Sequence, residues 1–331
     1  MTQRGSLLGV LLCAGRLLTG CGDDAAATSD AGGAVGATAD AGHDAGPPKF
    51  TTPKPSGCLD AVGAGAHTYD CDGLKYNARV PAQCLKAPCG LIFDVHGFSM
   101  SGEMEEASTK LADQGEEYGY VVFQPNANPA PPAASWMPAT DDDKVFAVLE
   151  HAMEVWHIDP DRVHFTGFSQ GGNMTWRMLC KHADVFASVA PAAGASCFKG
   201  TELPSREVPV LYMHGTADAL VDFPGVAVPQ RDAVIAGWKM DAGKKIAGDE
   251  NHERTRYTSP GGTVFEFVQH DYKVAKDPCI IVTLGGHCFP GSEDPGGATG
   301  QACTFACMPP NAFHWGEEVM KFFRAHGKSR P

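Results

Sequence analysis

Positive charge is scarce in this chain. Its 331 residues carry 26 lysines and arginines against 39 aspartates and glutamates, a net charge of −13. Without a basic face there is nothing to neutralise a phosphate backbone, so no nucleic-acid partner is expected. Long apolar runs are missing as well. The segment from Met1 to Cys21 has Arg4 at its start and an apolar stretch beginning at Leu7–Leu12. It is too short to span a bilayer and reads as an export signal, outside the fold. Cys-x-x-Cys pairs are absent too, so Cys303 and Cys307 lack the partner pair that a zinc reading would need. No metal and no cofactor is expected, and no internal repeat is visible.

The export segment ends in Leu18-Thr19-Gly20-Cys21, which resembles the lipobox of bacterial lipoproteins. The resemblance implies lipidation of Cys21 and makes a lipid anchor the one expected contact with a membrane. Residues 22–56 are mostly Ala, Gly, Asp, Thr and Pro, with almost no large apolar side chain. Such a stretch cannot bury enough surface to offset the entropy of ordering, so it reads as a disordered tether. Residues 57–331 then form one folded domain, expected to be a monomer. Leaving out Cys13 and Cys21, ten cysteines remain, an even number that in an exported chain argues for disulfides. Cys180–Cys197 is the expected pair, because Cys180 closes one helix and Cys197 follows the next strand.

Within that domain, strands are expected at His67–Asp70, Leu74–Val80, Leu91–Val95, Tyr120–Phe123, Val163–Thr166, Phe186–Val189 and Val208–Met213. Helices are expected at Gly102 to about Gly115, Asp141–Trp156, Met174–Lys181 and Arg231–Met240. A hairpin follows over Pro260-Gly261-Gly262, then a strand at Ile280–Leu284 and a last helix at Trp315–Ala325. Alternating strands and helices predict an α/β fold, a mostly parallel central sheet with helices on both faces.

The chemistry centres on Gly167-Phe168-Ser169-Gln170-Gly171, a match to G-x-S-x-G between a strand and a helix. That context is what a nucleophile elbow requires, with Ser169 on a sharp turn and small residues beside it. The pattern also occurs in ordinary Gly-rich loops, so its partners decide the matter. A serine hydroxyl needs a base to take its proton and an acid to orient the base. Asp218, past the strand Val208–Met213, is the expected acid, with Asp222 as its rival. His287, in Gly285-Gly286-His287 after the expected late strand, is the expected base, with His314 as its rival. His96 and His214 read as turn supports. The order Ser169, Asp218, His287 is that of α/β-hydrolases. The backbone amides of Gln170 and Phe98 are placed to form an oxyanion hole. Trp136, Phe98 and Phe289 are candidates for a substrate pocket, weighed against plain packing.

His96-Gly97, Gly167-Phe168-Ser169-Gln170-Gly171-Gly172, His214-Gly215-Thr216-Ala217-Asp218 and Gly286-His287-x-x-Pro290-Gly291 occur in this order. Together they resemble the secreted α/β-hydrolase esterases of the polyhydroxybutyrate depolymerase-like, feruloyl and acetylxylan esterase group. The resemblance covers about Tyr69 to His326. It implies a cofactor-free serine esterase with an acyl-enzyme at Ser169, acting on a plant-wall ester or a polyester oligomer. Relatives often carry Trp where Phe289 stands, and the segment Cys288–Pro310 reads as an insertion beside the site. Two other readings use the same fold: an acyltransferase, and a surface-binding protein without catalysis.

Overall fold

The computed structural model describes residues 50–198, 202–274, 282–294 and 304–328. The chain divides into two units, Met1–Pro48 and Lys49–Pro331. The export signal, Cys21 and nearly all of the expected tether lie outside the described residues, as do Cys279 and Cys303.

The second unit opens with a hairpin, β1 (Gly65–Cys71) and β2 (Leu74–Val80). Its two-residue turn puts Asp72 and Gly73 at φ 51° and 77°, the left-handed pair that matches the twist of the flanking strands. The parallel strands are β3 (Gly90–Val95), β5 (Val163–Phe168), β6 (Ser188–Ala192) and β7 (Val210–Gly215), each buried along its whole length. With β4 (Tyr120–Asn126), β8 (Lys244–Gly248), β9 (His252–Thr258) and β10 (Val264–His270) they make one ten-stranded sheet. Its order is β1-β2-β4-β3-β5-β6-β7-β10-β9-β8, parallel from β4 to β10 and antiparallel at both ends.

Strand side chains alternate between two cores. Phe93, Phe123, Phe165 and Tyr212 face one side, where they meet α3 (Asp141–Val155), α4 (Gln170–His182) and α5 (Val228–Gly237) through Leu149, Trp176 and Val234. Ile92, Val122, Leu211 and Met213 face the other. There Met104 of α1 (Gly102–Thr109), Leu111 of α2 (Leu111–Tyr118) and Phe322 of α6 (Trp315–Ala325) close over them. Burial on both faces is why the parallel strands read as continuous apolar runs.

Three expectations change. The helix from Gly102 is capped by Ser101, whose hydroxyl accepts the Met104 amide at 3.3 Å, but it breaks at Lys110, φ 56°. The Glu106 carboxylate replaces the lost carbonyls, accepting the Ala112 and Asp113 amides at 2.8 and 3.3 Å. The edge strand β8 was not expected. It is exposed at every residue, so it carries no buried alternation to read. The expected strand Ile280–Leu284 is not formed in its described part, residues 282–284. β10 already occupies the place beside β7, and Gly285 instead bridges to Asp218 and accepts the Val274 amide at 2.9 Å.

Four disulfides join described residues: Cys58–Cys71, Cys84–Cys89, Cys180–Cys197 and Cys288–Cys307. The third is the expected pair. Among the described residues no helix is long and apolar enough to cross a membrane.

Candidate active site

β5 ends at Phe168 and α4 begins at Gln170, leaving Ser169 alone in the turn at φ 55°, ψ −112°. A non-glycine residue there is strained and persists only when its surroundings hold it. The Ser169 amide donates to Ala192 O at 2.9 Å, and its carbonyl accepts the Asn173 amide at 2.9 Å. The strand ends on either side leave no room for side chains. A Cβ on Gly171 would lie 1.8 Å from Val95 O, and one on Gly172 would lie 2.2 Å from Ala192 O. The G-x-S-x-G-G spacing is therefore the packing condition for putting this turn between β3 and β6.

Asp218 lies in the turn after β7 and is 7% exposed. Its Oδ1 accepts the Leu220 and Val221 amides at 2.9 and 2.8 Å, and its Oδ2 accepts His287 Nδ1–H at 2.7 Å. Burial alone would push this carboxyl up. The hydrogen bonds from His214, His287 and the Val221 amide outweigh it and hold Asp218 well below the usual carboxylate range. The turn bearing His287 is stitched to the turn bearing Asp218. Gly286 N–H donates to Ala217 O at 2.8 Å, and Ala219 N–H donates to Leu284 O at 3.1 Å. A Cβ on Gly285, φ 58°, would meet Ala217 O at 2.3 Å, so glycine is required where the turns touch. Cys288, directly after His287, is bonded to Cys307.

The His287 ring packs on Phe168, the residue before Ser169, with ring centroids 4.6 Å apart. Among the described residues no hydrogen bond joins the Ser169 hydroxyl to that ring. Such bonds are often long without substrate and tighten in the complex. The rivals lie in other settings. Asp222 Oδ2 caps the turn Phe223–Ala227 by accepting Gly225 N–H at 2.8 Å. His314 precedes α6 and lines a charged groove with Lys110 and Glu317.

The Phe98 and Gln170 amides donate to no acceptor among the described residues. Phe98 follows Gly97, whose Cβ, if it had one, would sit 3.0 Å from Ser169 Cβ. His96 braces this loop. Its Nδ1–H donates to Gly97 O at 2.7 Å and its Nε2 accepts the Ala127 amide at 3.0 Å. Burial pushes its pKa down to about 4, so the ring is neutral and suited to holding a turn. Trp136 Nε1–H donates to His96 O at 2.8 Å, and the Gln170 side-chain oxygen accepts the Trp136 amide at 3.0 Å.

These contacts correct the expected pocket. Trp136 is 3% exposed and Phe289 is fully buried against Phe168, ring centroids 4.1 Å apart. Both act as packing beneath the site, since their neighbours cover the ring faces. The aromatic that faces solvent is Phe98, 52% exposed. The tie from the Gln170 side chain to the Trp136 loop has no signal in the sequence, because it joins two segments that only the fold brings together. Among the described residues no group of three or more His, Cys, Asp or Glu is arranged to hold a metal ion.

No protein-family model matches the chain. Over 246 residues it is 29% identical to NocK of Nocardia uniformis subsp. tsuyamanensis, named as an inferred esterase, across 67% of this chain and 71% of that protein. It is 25% identical over 171 residues to a bifunctional acetylxylan esterase/xylanase of Neocallimastix patriciarum, across 51% of this chain and 25% of that protein. It is 29% identical over 196 residues to a poly(3-hydroxyoctanoate) depolymerase of Pseudomonas fluorescens, across 54% of this chain and 63% of that protein. Among solved structures, an acetyl xylan esterase from Aspergillus awamori matches with a TM-score of 0.51 at 17% identity, over 62% of this chain and 93% of that one. A thermostable esterase matches with a TM-score of 0.50 at 15% identity, over 80% of this chain and 63% of that one. The fold is the α/β-hydrolase fold.

Proposed function

We propose that this chain, a carboxylic-ester hydrolase of the group that holds feruloyl and acetylxylan esterases and polyhydroxyalkanoate depolymerases, cleaves its esters through Ser169, His287 and Asp218. The observation that carries the reading is the 2.7 Å hydrogen bond from His287 Nδ1 to Asp218 Oδ2, made beside the strained turn at Ser169. With Nδ1 protonated and held by Asp218, His287 presents a free Nε2 lone pair. That nitrogen takes the Ser169 proton as the serine oxygen attacks the ester carbonyl. The carbonyl oxygen becomes an oxyanion and accepts the amides of Gln170 and Phe98, each donor supplying roughly 3 kcal/mol. His287 returns the proton to the leaving alcohol. Water then repeats the cycle on the acyl-enzyme, freeing the acid and restoring Ser169.

The substrate is a plant-wall ester or a polyester oligomer, met by the exposed ring of Phe98 beside the oxyanion amides. The protein works outside the cytoplasm, as four disulfides and the N-terminal segment favour. A lipid on Cys21 would tether it to the envelope, and the mass of the mature N-terminus decides that point.

Purified protein should hydrolyse a short nitrophenyl ester and react with a fluorophosphonate probe. Ser169→Ala should lose both, with turnover falling by a factor on the order of 10⁶. Unchanged turnover in that variant ends the assignment. A panel of feruloyl, acetyl and 3-hydroxybutyrate esters then ranks the substrates.

A further inference from the structure

A second imidazole stands behind the proposed triad. His214, the fifth residue of β7, is completely buried. Its Nε2 lies 2.8 Å from Val221 O and 3.4 Å from Asp218 Oδ2, and its Nδ1 lies 3.1 Å from the Tyr212 hydroxyl. These partners fix its tautomer. A carbonyl oxygen only accepts, so Nε2 carries the proton, and Nδ1 must then accept from Tyr212. Burial raises the Tyr212 phenol well above its usual value, so the hydroxyl keeps the proton it donates.

We propose that His214 is a positioning residue that, oriented by Tyr212, sets the plane and the charge of the Asp218 carboxylate. This rests on the reading of Asp218 as the acid that orients His287. Val221 is the hinge of the arrangement. Its amide grips Asp218 Oδ1 at 2.8 Å, while His214 grips its carbonyl. Removing the imidazole frees the turn from Asp218 to Val221 at the end that holds the carboxylate. The same Nε2–H also leans on Oδ2, the oxygen that holds His287. It shares the charge of that oxygen with His287. The neighbouring His270 on β10 adds no charge, since burial pushes its pKa down to about 3. The arrangement also abuts the turn that carries the base: a Cβ on Gly215, next to His214, would lie 2.1 Å from Gly286 O.

The test compares His214→Leu, His214→Gln and Tyr212→Phe with wild type on a nitrophenyl ester between pH 5 and 9. With His214→Leu, kcat should fall about tenfold, the size of one lost hydrogen bond, while KM stays within twofold. The acidic limb of kcat/KM should move to higher pH, because the charge on Asp218 Oδ2 is then no longer shared between two N–H groups. His214→Gln keeps an amide donor for Val221 O and should recover most of the loss. Tyr212→Phe keeps the core ring and should shift the limb in the same direction by a smaller amount. It carries the test if His214→Leu does not fold. Wild-type kcat and an unmoved limb in the folded variants overturn the proposal. A drop in kcat with an unmoved limb also overturns it, since general loosening gives that result. Fluorophosphonate labelling runs in parallel. Wild-type enzyme that is not labelled at Ser169 refutes the triad itself, a result separate from the failure of His214's role.

Discussion

Replacing Asp218 by Asn should stop turnover with almost no change in shape, and the reason lies in which oxygen holds what. Oδ1 accepts the Leu220 and Val221 amides at 2.9 and 2.8 Å. An asparagine must keep its carbonyl oxygen at that position, because turning the NH₂ group there would face it with two donors at about 1–3 kcal/mol each. The NH₂ group therefore lands where Oδ2 was, 2.7 Å from His287 Nδ1. To avoid a donor facing a donor, His287 must bare Nδ1 and carry its proton on Nε2. It then points a proton at Ser169 and cannot take one. Loss of the productive tautomer costs roughly 10⁴-fold in kcat in a triad of this kind. That is about 5.5 kcal/mol of barrier. KM should hold within twofold, since Asp218 is buried and does not touch the substrate. The assay is nitrophenyl ester hydrolysis with a thermal melt on the same sample. Asp222→Asn serves as the control and should stay within threefold in kcat, because Asp222 caps only its own turn. A folded Asp218→Asn enzyme with kcat within tenfold of wild type would show that Asp218 does not orient the base.

Two further outcomes are expected. Gly171→Ala places a methyl 1.8 Å from the Val95 carbonyl oxygen, backbone that cannot step aside, so soluble protein that still labels with fluorophosphonate would contradict the packing described here. Burial raises the carboxyls of Asp94 and Glu105, and pushes that of Glu106 from its usual 4.5 up to about 7. A carboxyl whose folded pKa is raised gives stability that is full below its ordinary pKa and is lost as pH climbs through the raised value. For Glu106 that window runs from about pH 4.5 to 7. Urea midpoints should therefore fall between pH 5 and 8, with a shallower fall in Glu105→Gln, and equal slopes in the two proteins would refute the account.

Much of the fold could be read from residue pattern because the parallel strands are buried on both faces. Leu91–Val95 is a mostly apolar run for that reason, and Trp315–Ala325 shows its packed stripe clearly enough to fix both ends. Three features gave no such signal. The break at Lys110 depends on Glu106 reaching across a gap in the helix, a tertiary contact that no local propensity records. β8 has no buried side. Residues 282–284 look like a strand end because Val282, Thr283 and Leu284 are β-prone and precede glycines, but the sheet position they would fill belongs to β10. At the site, Ser169 was legible from the glycines around it. Asp218 and His287 could be named there as acid and base from the turns that follow strands, but the packing that brings them together could not, since their contact depends on Gly285 and Gly286 packing against Ala217. Trp136 and Phe289 looked like pocket walls because large aromatics beside a site look the same in sequence whether they face in or out.

The last strand of the sheet also bears on how copies of the molecule meet. A ten-stranded sheet with open ends offers its rim as a template on which another chain could add strands. At one rim, β8 presents the exposed side chains of Lys244 and Lys245, the latter paired with Glu253 at 3.4 Å, and the register slips between Lys245 and Ala247. Like charges and an uneven ladder oppose an approaching twin, so that rim discourages edge-to-edge stacking and fibre growth when the protein is concentrated.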